Sequence, residues 1–181
     1  MALTDAMQFA NRCGLNVNIY KYPKSTSGTS TAVEVPFANE CALDLSGDIT
    51  WATGGQAASK LIGFNNPMEG TFKISTQIMT NALLALISGA DATASASTEI
   101  VFKNESTAAT VYYVIEADTV WKDKAGETHT ENIVVHKALP KRAYNITYNG
   151  SGDPISVDIE FELLEDSDGK VVTITKDKDQ G

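Results

Sequence analysis

Cysteine is scarce in this sequence. Its 181 residues hold two, Cys13 and Cys41, too few and too irregular for a disulfide-built scaffold, so both are expected as buried thiols of a protein with a reducing, intracellular origin. Long apolar runs are missing too. No stretch approaches the roughly 20 apolar residues that span a bilayer, and residues 1–14 lack the basic start and apolar run of a signal peptide. Basic residues are few: 14 Lys and Arg stand against 23 Asp and Glu, a formal net charge of −9. Sequence-independent clinging to nucleic acid is thereby disfavoured, because that affinity comes from cations neutralising phosphates.

Assembled chemistry is equally thin. The two histidines, His129 and His136, lie seven apart in a strand-rich region, a spacing that sends them to opposite faces of one strand rather than to a shared metal. The run 54–60 (Gly-Gly-Gln-Ala-Ala-Ser-Lys) lacks the second Gly before Lys and the hydroxyl residue after it that a phosphate loop requires. Asp166-Ser-Asp168-Gly169 resembles the middle of a calcium loop without the third carboxylate or the distal Glu, so a β-turn is expected there. Three Asn-x-Ser/Thr sites, at Asn104, Asn145 and Asn149, mean little in a chain rich in Asn and Thr. No Gly-x-Ser-x-Gly elbow is present. No enzyme, metal or cofactor is expected.

What the chain does have is alternation, the mark of strands with one buried face. Leu15, Val17 and Ile19 alternate with polar residues, as do Cys41, Leu43 and Leu45, and further strands are expected at 33–37, 70–75, 98–103, 111–117, 119–122, 133–136, 144–148, 155–164 and 171–175. Gly-centred turns at 124–127, 149–154 and Asp168-Gly169 separate them, the last predicting a C-terminal hairpin. One helix is expected at about 76–88, where Ile78, Met79, Ala82, Leu83, Leu86 and Ile87 recur at helical spacing, with Thr76 as its cap and Gly89 at its end. Residues 4–12 suggest a shorter helix. The length is that of one domain with enough apolar residues, 43%, for a sizeable core.

Two features stand out. The stretch 46–66 reads as a long Gly-containing loop that carries Trp51, Leu61, Ile62 and Phe64; loops of that length inside a domain tend to be functional, and either the domain's own core or a neighbouring chain covers these residues. The second is an acidic comb. Period two places Asp158, Glu160 and Glu162 on one face of a strand and Val157, Ile159, Phe161 and Leu163 on the other. From Asp153 to Asp168 there are seven carboxylates and no base, and residues 151–181 hold nine acids against three bases. The comb is either an ordinary solvated face or a wall that meets a polyanion without binding it.

The run Ala42-Leu-Asp-Leu-Ser-Gly-Asp-Ile-Thr-Trp-Ala-Thr-Gly-Gly, then Lys60-Leu-Ile-Gly-Phe, then Glu69-Gly-Thr-Phe-Lys-Ile-Ser-Thr-Gln-Ile-Met-Thr-Asn-Ala-Leu-Leu-Ala-Leu-Ile-Ser-Gly resembles phage major tail tube proteins in its order of parts over residues 33–90. The resemblance implies a mainly β protein: a β-sandwich or barrel over 14–175 with one flanking helix, an arm or short helix at 1–13 and a tail at 176–181. It further implies a non-enzymatic virion component, made in the host cytoplasm, that forms hexameric rings stacked into a tube for DNA ejection. Its partners would be further copies of itself, passing double-stranded DNA, and tail terminator, baseplate or tape-measure proteins, with no cofactor. Trp51, Leu61, Ile62 and Phe64 then become subunit or ring interface candidates. Asp158, Glu160 and Glu162 become lumen-facing candidates, unless strands such as 133–136 or 111–117 line the channel instead. A related reading is the inner tube of a phage-tail-like bacteriocin or contractile injection system. From another class, a β-sandwich module binding carbohydrate or a surface ligand through Trp51, Trp121, Tyr112 or Tyr113 stays open, although aromatics at 8% do not favour it.

Overall fold

Residues that alternate in polarity pair with one another in this chain to make strands with one dry face. The computed structural model describes residues 10–25, 30–54, 59–78, 80–88, 110–122, 126–141 and 157–176. Along these, the order is β1 (Ala10–Lys21), β2 (Val33–Ser46), β3 (Ile49–Gly54), β4 (Ser59–Asn65), β5 (Glu69–Thr76), α1 (Asn81–Ser88), β6 (Tyr113–Lys122), β7 (Thr128–Pro140), β8 (Val157–Leu163) and β9 (Val172–Lys176). Mainly β with one helix is therefore the fold class, as the alternation implied. The expected strands at 98–103 and 144–148 lie outside the described residues.

Pairing runs β6-β1-β2-β5-β8-β7, and β6 also pairs with β7, so six antiparallel strands close into a barrel. One edge of β7 meets β6 along its length. The other edge is shared: Ala138 to Pro140 pair with β8, and Glu131 to Val135 pair with β9. The expected C-terminal hairpin is thus corrected. The turn does form, with Gly169 at φ 74° and the Gly169 N–H donating to the Asp166 carbonyl at 3.2 Å, but β8 and β9 each pair with β7 instead of with each other.

The inward residues build one core. Val17 and Ile19 of β1, Val35 of β2, Phe72 and Ile74 of β5, Ile159 and Phe161 of β8, Ile115 of β6 and Val135 of β7 are all fully buried in the same cluster. Phe72 lies directly opposite Phe161 across the β5–β8 ladder, so the two largest fully buried side chains among the described residues are cross-strand neighbours. Leu83, Leu86 and Ile87 bring the apolar side of α1 into this cluster, with the helix contacting β2.

The helix begins later than the periodicity predicted. Its cap is Thr80, whose Oγ1 accepts the Leu83 N–H at 3.2 Å while its carbonyl accepts the Leu84 N–H at 2.9 Å. Thr76 instead ends β5, fully buried, with its hydroxyl donating to the Pro36 carbonyl at 2.7 Å and accepting the Ile78 N–H at 3.2 Å. Ile78, counted as part of the helical stripe, precedes the helix and is exposed. At the other end of the chain, β1 includes Ala10, Asn11 and Arg12, which pair with Lys122, Trp121 and Val120. Those residues are therefore strand and not the end of a short helix; residues 1–9 lie outside the described part.

Among the described glycines, Gly70 marks the closest backbone approach. A Cβ there would sit 2.4 Å from the Asp44 carbonyl oxygen and 2.8 Å from Leu45 Cδ2, so β2 must shift to admit any side chain. Gly70→Ala is expected to destabilise the fold by about 1–3 kcal/mol, and Phe161→Ala by about 3–5 kcal/mol. Urea unfolding of both variants beside the parent checks the two values and their order.

Candidate functional site

The stretch expected as a loop over 46–66 is a β-arm. The β2–β5 ladder ends at the Ser46–Glu69 pair, and a second ladder begins at once between Ile49 and Asn65, running out along β3 and β4. At the root the Asn66 N–H donates to the Asp48 carbonyl at 2.9 Å, and the Ile49 N–H donates to Asp48 Oδ1 at 2.7 Å. Thr50 Oγ1 donates to Asn66 Oδ1 at 3.2 Å. These two strands form a sheet of their own, about 20 Å long at roughly 3.3 Å per residue. The sequence concealed it because Gly47, Gly54, Gly55 and Gly63 read as loop punctuation, while Ile49-Thr-Trp-Ala-Thr53 alternates as a strand does.

Both faces of the arm are apolar and open. Ile49 is 45% exposed, Trp51 43%, Ile62 59%, Phe64 57% and, beside the root, Met68 55%. Register places Ile49 and Trp51 on one face, over Gly63, and Ile62 and Phe64 on the other with Thr50 and Ala52. Gly63 leaves room for the indole: a Cβ there would lie 3.1 Å from Trp51 Cζ3. Lys60 Nζ lies 5.0 Å from the Trp51 ring centroid, a modest exposed cation–π contact. The barrel's own core therefore does not cover Trp51, Ile62 or Phe64, which removes one of the two alternatives left open by the sequence. Leu61 is in β4, and its side chain lies outside the described part. Ile49 and Met68 join the apolar set unforeseen. An isolated two-stranded ribbon is marginal in water, and this one offers an apolar surface on each side.

The acidic comb has the expected alternation. Val157, Ile159, Phe161 and Leu163 are buried, whereas Asp158, Glu160 and Glu162 turn to the outside of the barrel. The neutralisation missing along the strand comes from across the sheet. Lys73 Nζ on β5 lies 2.9 Å from Asp158 Oδ2, the Ser75 hydroxyl donates to Asp158 Oδ1, and Lys141 Nζ lies 2.6 Å from Glu160 Oε1. The Ser75 and Lys73 hydrogen bonds hold the Asp158 carboxyl below its ordinary value. Its partner's hydrogen bond to Asp158 raises the Lys73 ammonium, and the bond to Glu160 raises that of Lys141. Glu162 has no ion pair among the described residues. The ladders place Glu40 and Asp44 of β2 opposite Ser75 and Thr71 of β5, in line with Asp158 and Glu162. This outer strip stays acidic despite its two lysines.

Other singled-out residues scatter. His136 bridges two elements, with Nε2 2.7 Å from Thr173 Oγ1 and Nδ1 3.5 Å from Asp166 Oδ2, while His129 stands opposite Trp121. Among the described residues no three His, Cys, Asp or Glu side chains converge on a metal position. Tyr113 is buried in the core, Tyr112 stacks with Lys137 at 4.8 Å, and Trp51 stands on the arm, so these aromatics do not share one concave site.

Asp166 organises the β8–β9 turn. Its Oδ1 accepts the N–H groups of Asp168 and Lys170, each at 2.8 Å. The Lys170 N–H bond first, and with it that of Asp168 and the charges of His136 and Lys170, hold its carboxyl below the ordinary value against the opposing effect of burial. A carboxyl depressed in the folded state stabilises it above the unfolded pKa of about 4, and that stabilisation fades as pH falls through the lower folded value. Asp166→Asn is thus expected to lower the melting temperature at pH 7 and to differ progressively less from the parent below about pH 4. Thermal melts at pH 7, 5, 4 and 3 check it; a constant gap would contradict it.

A closed antiparallel barrel with one helix packed into its core and a β-arm extending from two neighbouring strands is the class this chain defines. Among solved structures it shares that fold with a chain of the anti-feeding prophage cap, a tube-terminating cap seen by cryo-electron microscopy. The TM-score is 0.52 and the identity 16%, over 98% of this chain and 100% of that one. A chain of the sheath–tube complex of an extracellular contractile injection system in its extended state gives 0.46 at 13% identity over 88% of this chain and 87% of that one. A crystal structure of Hcp protein gives 0.35 at 11% over 91% and 98%. No protein-family model and no curated protein sequence matches the chain.

Proposed function

We propose that this chain is a structural, non-enzymatic subunit of a tail tube, assembling as hexameric rings that stack into a hollow conduit for DNA in a phage virion. The observation that carries the reading is the arm: a narrow ribbon with Ile49 and Trp51 on one face and Ile62 and Phe64 on the other, exposed on both, is a liability in a monomer and an interface in a polymer. The fold shared with the tube-terminating cap chain agrees with it. The same shared fold favours a second reading of the same kind, the inner tube of a contractile injection system, in which the assembly is alike and the cargo differs.

In this reading Trp51, Leu61, Ile62 and Phe64 meet neighbouring subunits or rings. Asp158, Glu160 and Glu162 line the channel, where an acidic wall faces DNA without the cation–phosphate attraction that would hold it. The excess of carboxylates on the β2–β5–β8 strip supports that placement, because among the described residues pairing with Lys73 and Lys141 leaves Glu40, Asp44 and Glu162 without an ion pair. Density for a reconstructed tube should show the comb on the channel wall; a comb on the outer surface overturns this part of the reading.

Negative-stain microscopy of the concentrated protein should show rings or tubes with a central channel. Ile62→Asp and Phe64→Asp should each abolish them. Because both side chains are already more than half exposed, the variants should stay folded, with melting temperatures within a few degrees of the parent, since surface changes cost roughly 0.5 kcal/mol or less. A monodisperse parent at every concentration would overturn the proposal.

A further inference from the structure

The barrel leaves one strand of the main sheet half-paired. Among the described residues β9 pairs with β7 alone. The orientation of its free groups follows from one bond: the His136 N–H donates to the Val171 carbonyl at 3.0 Å. In an antiparallel ladder hydrogen-bonded and non-hydrogen-bonded pairs alternate, so Thr173 and Thr175 spend their backbone groups on β7, while Val172 and Ile174 turn theirs to the open edge. Ile174 is also 49% exposed.

The arm has the matching edge. The Asn66 N–H to Asp48 carbonyl bond sets the same alternation between β3 and β4, so Thr50 and Ala52 bond to β4, Trp51 presents its N–H and C=O outward, and Ile49 turns its C=O the same way while its N–H is taken by Asp48 Oδ1. On β4 the outward positions include Gly63 and Asn65, a glycine and a polar residue that make a poorer edge. On β3 and on β9 alike, the residues with unspent backbone groups are the apolar ones.

We propose that β3 of one copy adds as an antiparallel strand to the open edge of β9 on a second copy. This rests on the self-assembly reading above and names the surface the arm takes. Pairing the outward groups of Trp51 with those of Ile174 or Val172 necessarily sets the indole beside a β-branched side chain on the same face, a favourable cross-strand combination. It also converts a two-stranded ribbon into part of a wider sheet, which is what an exposed hairpin requires for stability. The arm of the second copy is free to do the same to a third, so the contact is head-to-tail and propagates.

Two measurements on the full chain test it. Thr50→Cys protein is mixed with Thr175→Cys protein, and separately with Thr173→Cys protein, covering the two registers, and oxidised under conditions in which the parent forms rings or tubes. Covalent dimers should exceed those of each variant alone, which report any background from Cys13 and Cys41, by several-fold in one of the two mixtures. Ile174→Pro removes an outward N–H and leaves the β7 ladder untouched; it should raise the concentration needed for assembly by roughly tenfold, the factor one ordinary hydrogen bond confers. Should Ile174→Pro fail to fold, the cross-linking decides alone. Rings that form without cross-links in either mixture overturn the strand addition and leave the self-assembly reading standing, whereas a parent that never assembles overturns both.

Discussion

The pairing of β6 with β7 is the constraint on which the rest of the molecule depends. Six strands in the order β6-β1-β2-β5-β8-β7 would be an open sheet with a long unpaired edge at each end; the added β6–β7 ladder spends both edges at once. Closure also creates the interior that Phe72, Phe161, Ile159 and Ile115 fill. Among the described residues the unspent strand edges then lie outside the ring: on the β3–β4 arm, which extends beyond the β2–β5 ladder, and on β9, which shares one edge of β7 with the shorter β8.

Charge follows the same logic of pairing across strands. Along the sequence Asp158, Glu160 and Glu162 are three like charges with no base nearby. Folding sets β5 and the end of β7 beside them, so Lys73 and Lys141 engage Asp158 and Glu160, while among the described residues Glu162 has no ion pair. These are half-exposed pairs, worth little to stability; their effect is on the surface potential. The outer strip is less acidic than the linear count suggested and still acidic on balance.

Much of the barrel was legible because period two is a local signal. Val157, Ile159, Phe161 and Leu163 alternate with acids in the chain and in space, and the Leu83, Leu86 and Ile87 face of the helix was equally plain. Sequence and structure part where a local signal has two meanings. Thr76 caps helices well, but it sits at the end of a strand and spends its hydroxyl on Pro36, leaving Thr80 to cap. Asp168-Gly169 does mark a turn, yet a turn reverses the chain without deciding which strand each arm joins, and β7 joins both. Glycines in 46–66 suggested a loop because in most strands glycine weakens the pairing; here Gly63 is the gap that the Trp51 ring occupies.

The sequence by itself determined which residues share a face, that the protein is mainly β with one apolar helix, and that the arm region carried apolar side chains needing a cover. These are consequences of spacing within a single segment, written in consecutive residues. Only the tertiary structure decided that the sheet closes, that Lys73 and Lys141 stand against the acidic comb, and that Trp51, Ile62 and Phe64 remain outside the core. Each of those depends on the register between strands far apart in the chain, and register is set by the packing of the whole interior rather than by any one strand.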